Sequence, residues 1–419
     1  MVRQRKKSKK SIIQGHISNA QTYNRRKFIQ KGRTWLRLLC YTFAAPPLVT
    51  IVAISALLII TESPIQAQKY KLEPRPKLEG ILAANRKLSI AEKLLQNEII
   101  GPEALAFRGD RLYTGLLDGR VVEIHEDKIL REMRLVQPTG VTCDGSYQTL
   151  AICGRPLGIR VAKNDEIYVV DAFHGLFVLN FRQSTAQQLI TPKSKPDNSE
   201  RPVKFLNDLE LIGTDLVLIT ESSTKFGLDV HPYIALEGEK TGRLLSYNRR
   251  TKQLTMLLDN ISFANGITAS PDESFVLISE INRVRILKYH LKGSKKGQTE
   301  VFADNLPGYP DNIRISANGT HVWVPLPQLR DEGDTFFAQN PWLRNAIAKL
   351  IPASRLDSFL RWLGGRKGLV LLLDSQGKAV NSLQDLTGQA VAHVTSVAEW
   401  GEFLFLGSYI EPYLAQVIF

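Results

Sequence analysis

From Gly101 to the C-terminus the apolar residues come in short runs, many of them alternating with polar ones. Examples are Leu112–Gly115, Val121–His125, Ile167–Val170, Leu176–Asn180, Leu216–Thr220, Leu244–Tyr247, Phe275–Ser279, Arg285–Tyr289, Val322–Pro325, Val370–Asp374 and Phe403–Gly407. Turn-forming pairs separate them: Asp118-Gly119, Asn164-Asp165, Pro271-Asp272 and Asn318-Gly319. Two-residue alternation bounded by Gly, Asn and Asp predicts strands joined in hairpins. The stretch Asn305–Val324 shows the unit: a Pro-Gly loop, a strand beginning at Asp311-Asn312, the Asn318-Gly319 turn, and a returning strand.

The unit repeats. Glu103, Leu157, Asn207, Asn265, Asp311 and Ser396 all stand at strand entrances, with steps of 54, 50, 58, 46 and 85 residues. The long last step contains a helical-looking insertion of about 40 residues, Gln328–Lys367, and about 45 remain without it. Six units of roughly 50 residues match four-stranded blades, so the chain is expected to be all-β, a six-bladed β-propeller with the insertion in blade five. A β-sandwich rarely uses so many strands at this spacing. Within the insertion, Trp342, Leu343, Ile347, Leu350, Phe359 and Trp362 alternate with Arg344, Lys349, Arg355 and Arg361, which predicts two amphipathic helices broken at Pro352. They read as a lid on the propeller or as a membrane-surface contact.

Upstream the pattern changes. Ser89–Ile99 has helical spacing and is expected to form one short helix, and Pro64–Leu78, rich in Pro and Lys, reads as a stalk. Leu38–Thr61 is an uncharged stretch of 24 residues, long enough to cross the ~30 Å hydrocarbon core as a transmembrane helix. The expected domains are a basic cytoplasmic tail (1–37), the transmembrane anchor (38–61), stalk and helix (62–98), and the propeller (99–419).

Charge sharpens this picture. The net charge of +13 belongs to the tail, because residues 1–37 hold twelve Lys and Arg and no acid. Subtracting them from the 54 cations of the chain leaves 42 against 41 acids in the body, which argues against a nucleic-acid partner. Cations on the N-terminal side place that side in the cytoplasm, giving a single-pass type II membrane protein with a lumenal or extracellular propeller. Cys143 and Cys153, ten residues apart around a Gly/Ser turn, read as a disulfide, with two separate buried thiols as the other reading. The sequons at Asn260 and Asn318 are expected to be glycosylated there.

Glu103, Asn207, Asn265, Asp311 and Asn312 offer carboxylate and amide oxygens at the entrances of strands aimed at one axis. That is a hard-cation set, suited to Ca2+. In turns, such residues also serve the backbone alone. Phosphate-loop, zinc-spacing and Gly-x-Ser-x-Gly patterns are missing from the sequence.

The pieces GPEALAF (101–107), CGRPLGIR (153–160), NDL (207–209), FANGITASPDESFVLISE (263–280) and LPGYPDNIR (306–314) resemble the strictosidine synthase-like family. The resemblance implies a six-bladed propeller on a type II anchor, related to paraoxonase- and gluconolactonase-like hydrolases. In those, a Glu, Asn residues and an Asp hold a catalytic calcium in the central channel. It implies hydrolysis of a small ester or lactone, with Asp311 as ligand and candidate catalytic base. Two positions depart from the pattern: Leu157 replaces a His of the paraoxonase-like motif, and Ser396 stands where strictosidine synthase carries a catalytic Glu. Alkaloid synthesis is therefore not expected, and His174 is a weak substitute base. The alternative is a propeller that binds a ligand or protein with a structural calcium; the sequence identifies no protein partner.

Overall fold

The computed structural model describes Thr50, Leu58 and residues 60–419. Ser63–Phe419 is one compact unit. It contains six four-stranded antiparallel sheets. The innermost strands are Leu105–Arg108, Pro156–Val161, Phe205–Ile212, Ala264–Ala269, Arg314–Ile315 and Val394–Trp400, and each starts within three residues of one of the six strand entrances read from the sequence. They neighbour one another around a central axis, as a six-bladed propeller requires. The core is divided accordingly. One cluster (Val121, Ile159, Val169, Phe177) fills the wedge between blades one and two, and another (Val170, Leu209, Val217, Leu245) fills the next. Each sheet thus buries both faces against its neighbours, and only the outermost strands, such as Lys128–Arg134, turn toward water.

One expectation changes and another is extended. Ser89–Ile99 forms no helix: Glu92–Leu94 is a strand, paired antiparallel with Leu414–Gln416, and it is the fourth strand of blade six. The N-terminal segment therefore closes the ring, which leaves no open edge between first and last blades. The insertion between the second and third strands of blade five holds the two helices expected on either side of Pro352 and a third one ahead of them. With Leu150–Cys153 as α1 and His231–Glu237 as α2, they are α3 (Gly333–Gln339), α4 (Pro341–Leu350) and α5 (Ala353–Gly364). Pro352 separates α4 from α5.

The insertion is a lid. Ala348 and Leu356 pack with Leu236 of α2, which lies in the equivalent loop of blade three. Arg344, expected on the polar face, is buried and donates to the carbonyls of Leu236 (2.7 Å) and Gln68 (2.5 Å). The Pro64–Leu78 segment lies along the same face: Ile65 joins the Leu236 cluster and Leu72 is buried against Val284 and Ala338. Cys143 and Cys153 are joined as a disulfide, with Cys153 at the end of α1. The expected anchor Leu38–Thr61 lies almost wholly outside the described residues, and the basic tail entirely so. Among the described residues no helix is long and apolar enough to cross a membrane.

Candidate functional site

The site lies where the inner strands begin, and irregular pairing aims its side chains. In blade three the register with the next strand shifts between Leu206 and Leu209, so Asn207 and Asp208 fall in the irregularity. Blade four shifts between Ala264 and Ile267, around Asn265-Gly266, and blade two between Pro156 and Ile159, around Leu157-Gly158. Such bulges re-aim side chains and free backbone groups. Asp208 N–H, for example, donates to Thr220 Oγ1 (3.0 Å). The glycines beside these positions let neighbouring blades close up. A Cβ on Gly266 would lie 2.3 Å from Asp311 O, and one on Gly158 would lie 2.7 Å from Asp208 Cα.

Blade five supplies two adjacent residues. Its inner strand is only Arg314–Ile315, because Asn312 N–H crosses to Thr395 O of blade six (3.0 Å) and pairs there beside Ser396. Ser279 Oγ donates to Asp311 O (2.7 Å), which fixes the chain just ahead of the strand.

All five sequence-predicted ligands are buried: Glu103, Asn207, Asn265, Asp311 and Asn312. Four of them end in oxygens that no hydrogen bond satisfies: Asn207 Oδ1, Asn265 Oδ1, Asp311 Oδ1 and Asn312 Oδ1. The amide nitrogens explain how two of these are aimed. Asn207 Nδ2 donates to Ser222 Oγ (3.0 Å), and Asn265 hydrogen-bonds the Asp311 carboxylate, turning each carbonyl oxygen the other way. Buried acceptors normally find a donor, so four orphans on three adjacent blades call for an electrophile.

The charges point the same way. Glu103 Oε2 is held by Arg155 (2.7 Å), both side chains being buried. Asp208 lies between Arg314 (2.8 Å) and Arg160 (3.4 Å) and accepts from Ile267 N–H (3.0 Å). Burial opposes the Asp208 charge, but the two guanidiniums hold its carboxyl below the usual range. Asp311 enters no ion pair among the described residues. Burial first, and then the Glu103 and Asp208 carboxylates, push its carboxyl well above the usual range. An unpaired buried carboxylate is costly. A divalent cation among these oxygens would remove both the orphans and the unpaired charge, so the residues present fit a calcium ion. No three His, Cys, Asp or Glu gather as a metal site among the described residues, because most of these donors are amides.

Other positions are placed differently. Leu157 is buried among Phe205, Phe263, Ala172 and Ile234. Ser396 is buried and donates to Glu103 O. His174 Nδ1 lies 3.0 Å from Asp171 Oδ1, a hydrogen-bond contact that occupies it. Asn260 and Asn318 are both exposed.

Several residues were not singled out as functional from sequence. Arg155, Asp208 and Arg314 stand inside the quoted motifs, yet their partners come from other blades. The lid adds Asp357 and Arg361, and α2, packed against it, adds His231. His231 Nδ1 faces Leu228 O at 2.9 Å, and its Nε2 faces Asp357 Oδ1 at 3.5 Å. With an acceptor at each nitrogen the ring is raised toward its charged form, although burial opposes this. Arg361 pairs with Asp357 and lies over the Tyr409 ring. Burial raises the Tyr409 phenol, and the charges of Asp357 and Asp311 add to this. The lid residues thus lie within electrostatic reach of the channel.

Comparison with known proteins gives the same frame. The strictosidine synthase family model matches residues 207–294, and the model for the N-terminal part of strictosidine synthase-like proteins matches 80–124. The adipocyte plasma membrane-associated protein of Salmo salar is 35% identical over 372 residues, covering 88% of this chain and 87% of that protein. The Homo sapiens protein of that name is 34% identical over 373 residues, covering 88% of this chain and 87% of its own. Among solved structures, a gluconolactonase from Xanthomonas campestris aligns with TM-score 0.51 at 15% identity, over 86% of this chain and 99% of its own. A luciferin-regenerating enzyme aligns with TM-score 0.52 at 14% identity, over 78% and 95%.

Proposed function

The chain belongs to the strictosidine synthase-like family, and on that premise we propose that it is a membrane-anchored, calcium-dependent hydrolase of aryl esters or lactones. The observation that carries the reading is the set of buried oxygens without partners on Asn207, Asn265, Asp311 and Asn312. With Glu103 they would hold the ion, two carboxylates supplying charge and three amides neutral oxygens. When bound, the ion polarises a substrate carbonyl and stabilises the oxyanion. Asp311, the channel carboxylate without an ion-pair partner, takes the proton of the attacking water. Arg155 orients Glu103, and the Arg160–Asp208–Arg314 network holds the inner strands of blades two, three and five in place. The relatives carry a membrane-associated name, and one protein of the same fold is a gluconolactonase. Ser396 cannot serve as the proton-transferring acid of an amine–aldehyde condensation, since its hydroxyl is committed to Glu103 O.

The test is hydrolysis of phenyl acetate and of a simple lactone by the purified full chain. Turnover that chelator abolishes and calcium restores is expected. One observation favours a second reading, a binding propeller with a structural ion: the apolar Leu157 leaves the blade-two entrance position without a base. Calcium-dependent melting without turnover of either substrate class would select it.

A further inference from the structure

The lid has an outer face that the fold does not use. Ala348, Ala353 and Leu356 point inward, while Phe336, Trp342, Leu350, Phe359, Trp362 and Leu363 are exposed, Trp342 at 65% and Trp362 at 76%. These six stand within 28 residues, yet they make up about a third of the large apolar side chains exposed among the described residues. Phe359 and Trp362 pack side by side, with ring centroids 6.0 Å apart, and Arg355 is exposed on the same helix. Exposed indoles and phenyl rings beside cations suit the headgroup level of a bilayer, where the ring is buried and its polar edge stays wet.

The anchor read from the sequence would bring a bilayer close to this face. Ser63 Oγ donates to Asn345 Oδ1 on α4 (3.1 Å), and Ala67 N–H donates to the same oxygen (3.3 Å). The uncharged 24-residue stretch ends at Thr61, two residues before Ser63. Two residues span at most ~7 Å, so a bilayer holding that stretch begins within that reach of Ser63. We propose that the outer face of α4 and α5 lies on the lipid bilayer, so that the lid end of the propeller is presented to the membrane. The proposal rests on the membrane-anchored part of the functional reading and is independent of its hydrolytic part.

The experiment uses the full chain in phosphatidylcholine nanodiscs made with ordinary or brominated acyl chains. Tryptophan emission is compared between wild type and the double variant W342F/W362F, whose melting temperature is expected to match wild type because both indoles face outward. The share of emission lost in the variant is expected to be quenched by brominated lipid. If alkaline carbonate fails to extract the chain but that share stays unquenched, the anchor stands and the lipid contact is overturned. If carbonate extracts the chain, the anchor reading fails. Flotation with vesicles that is lost in W342F/W362F would then still support the contact, and no flotation would overturn it. Unquenched indoles with a dimer by sedimentation would assign the face to a second copy and also overturn it.

Discussion

Replacing Asp311 tests the candidate site most directly, because the apo and loaded proteins should respond in opposite directions. In chelator, wild type holds a buried carboxylate with no ion pair among the described residues and an unsatisfied Oδ1. Asp311→Asn removes the charge and keeps the shape and one oxygen. The variant is therefore expected to be at least as stable as wild type without calcium, because an uncompensated buried charge is destabilising. With calcium the order reverses. Saturation at 100 times Kd adds about 2.7 kcal/mol to a folded state that alone binds the ion. Unfolding entropy scales as about 2.1 cal/mol/K per residue, so a unit the size of Ser63–Phe419 gains roughly 1.3 °C per kcal/mol. Wild type should melt about 3–4 °C higher in calcium than in chelator, by the same arithmetic. Asp311→Asn, losing one of two formal charges facing the ion, should lose most of that shift. Asp311→Ala should lose all of it and open a small void as well. The assay is thermal melting of the three proteins in calcium and in chelator, with phenyl acetate turnover measured alongside. A wild type that melts identically in both buffers would refute the reasoning, and so would an Asn variant that keeps the full calcium shift.

Gly266→Ala places a methyl 2.3 Å from Asp311 O and 2.5 Å from Asn312 Cα, so blades four and five must separate. A loss of about 1–3 kcal/mol and a weakened calcium response are expected by melting, and unchanged values would contradict the close-approach argument. The Asp385 carboxylate accepts from the backbone N–H groups of Thr387, Gly388, Ala390 and Val391 and from Thr387 Oγ1. Burial opposes its charge, but these donors hold it below the usual carboxylate range. Its stabilisation is therefore present above the unfolded value of about 3.9 and lost as pH falls through the lower folded one. Asp385→Asn should cost about 1.5–3 kcal/mol at pH 7 and flatten that part of the acid-melting curve, and an unchanged curve would count against this. At the sequons, Asn318 is exposed while Ser262 of the Asn260 sequon is buried against the carbonyls of Gly238 and Glu239. A glycan removable by amidase is expected at Asn318 after expression in a secretory host, and at Asn260 only if attached before folding. A chain without glycan at either would refute a lumenal propeller.

The ring was legible because its signals are local. Turn pairs such as Asn318-Gly319 and two-residue alternation mark hairpins, and the entrance residues recur once per blade whatever the loops do. The closing strand was not legible for the same reason. Ala91–Leu95 carries no alternation over its three paired residues, and only Leu414–Gln416, more than 300 residues away, makes Glu92–Leu94 a strand. The candidate ligands could be read only as residue types, and the direction of their side chains could not be read. It depends on register shifts around Asn207 and Asn265, of which the sequence shows only Gly266 and the neighbouring Asp208. The arginines were hidden because ion pairing is not periodic. Arg155 meets Glu103 from 52 residues away and Arg314 meets Asp208 from 106.

The six entrance positions divide the channel into unlike sides. Blades one, three, four and five supply Glu103, Asn207, Asn265, Asp311 and Asn312. Blade six supplies Ser396, whose hydroxyl satisfies Glu103 O, and blade two supplies Leu157, which heads a packed apolar cluster with Phe205, Phe263 and Ile234. The proton-accepting groups and the apolar wall therefore stand at different blades, and Arg155 of blade two is committed to Glu103. On the proposed hydrolytic reading, any proton taken would go to a carboxylate of the candidate ligand set or to water, since the Leu157 position has nothing to accept it. On that reading the arrangement would suit substrates whose leaving group needs little help, such as aryl esters and lactones, over amides or alkyl esters, whose departure demands a stronger acid on the leaving atom.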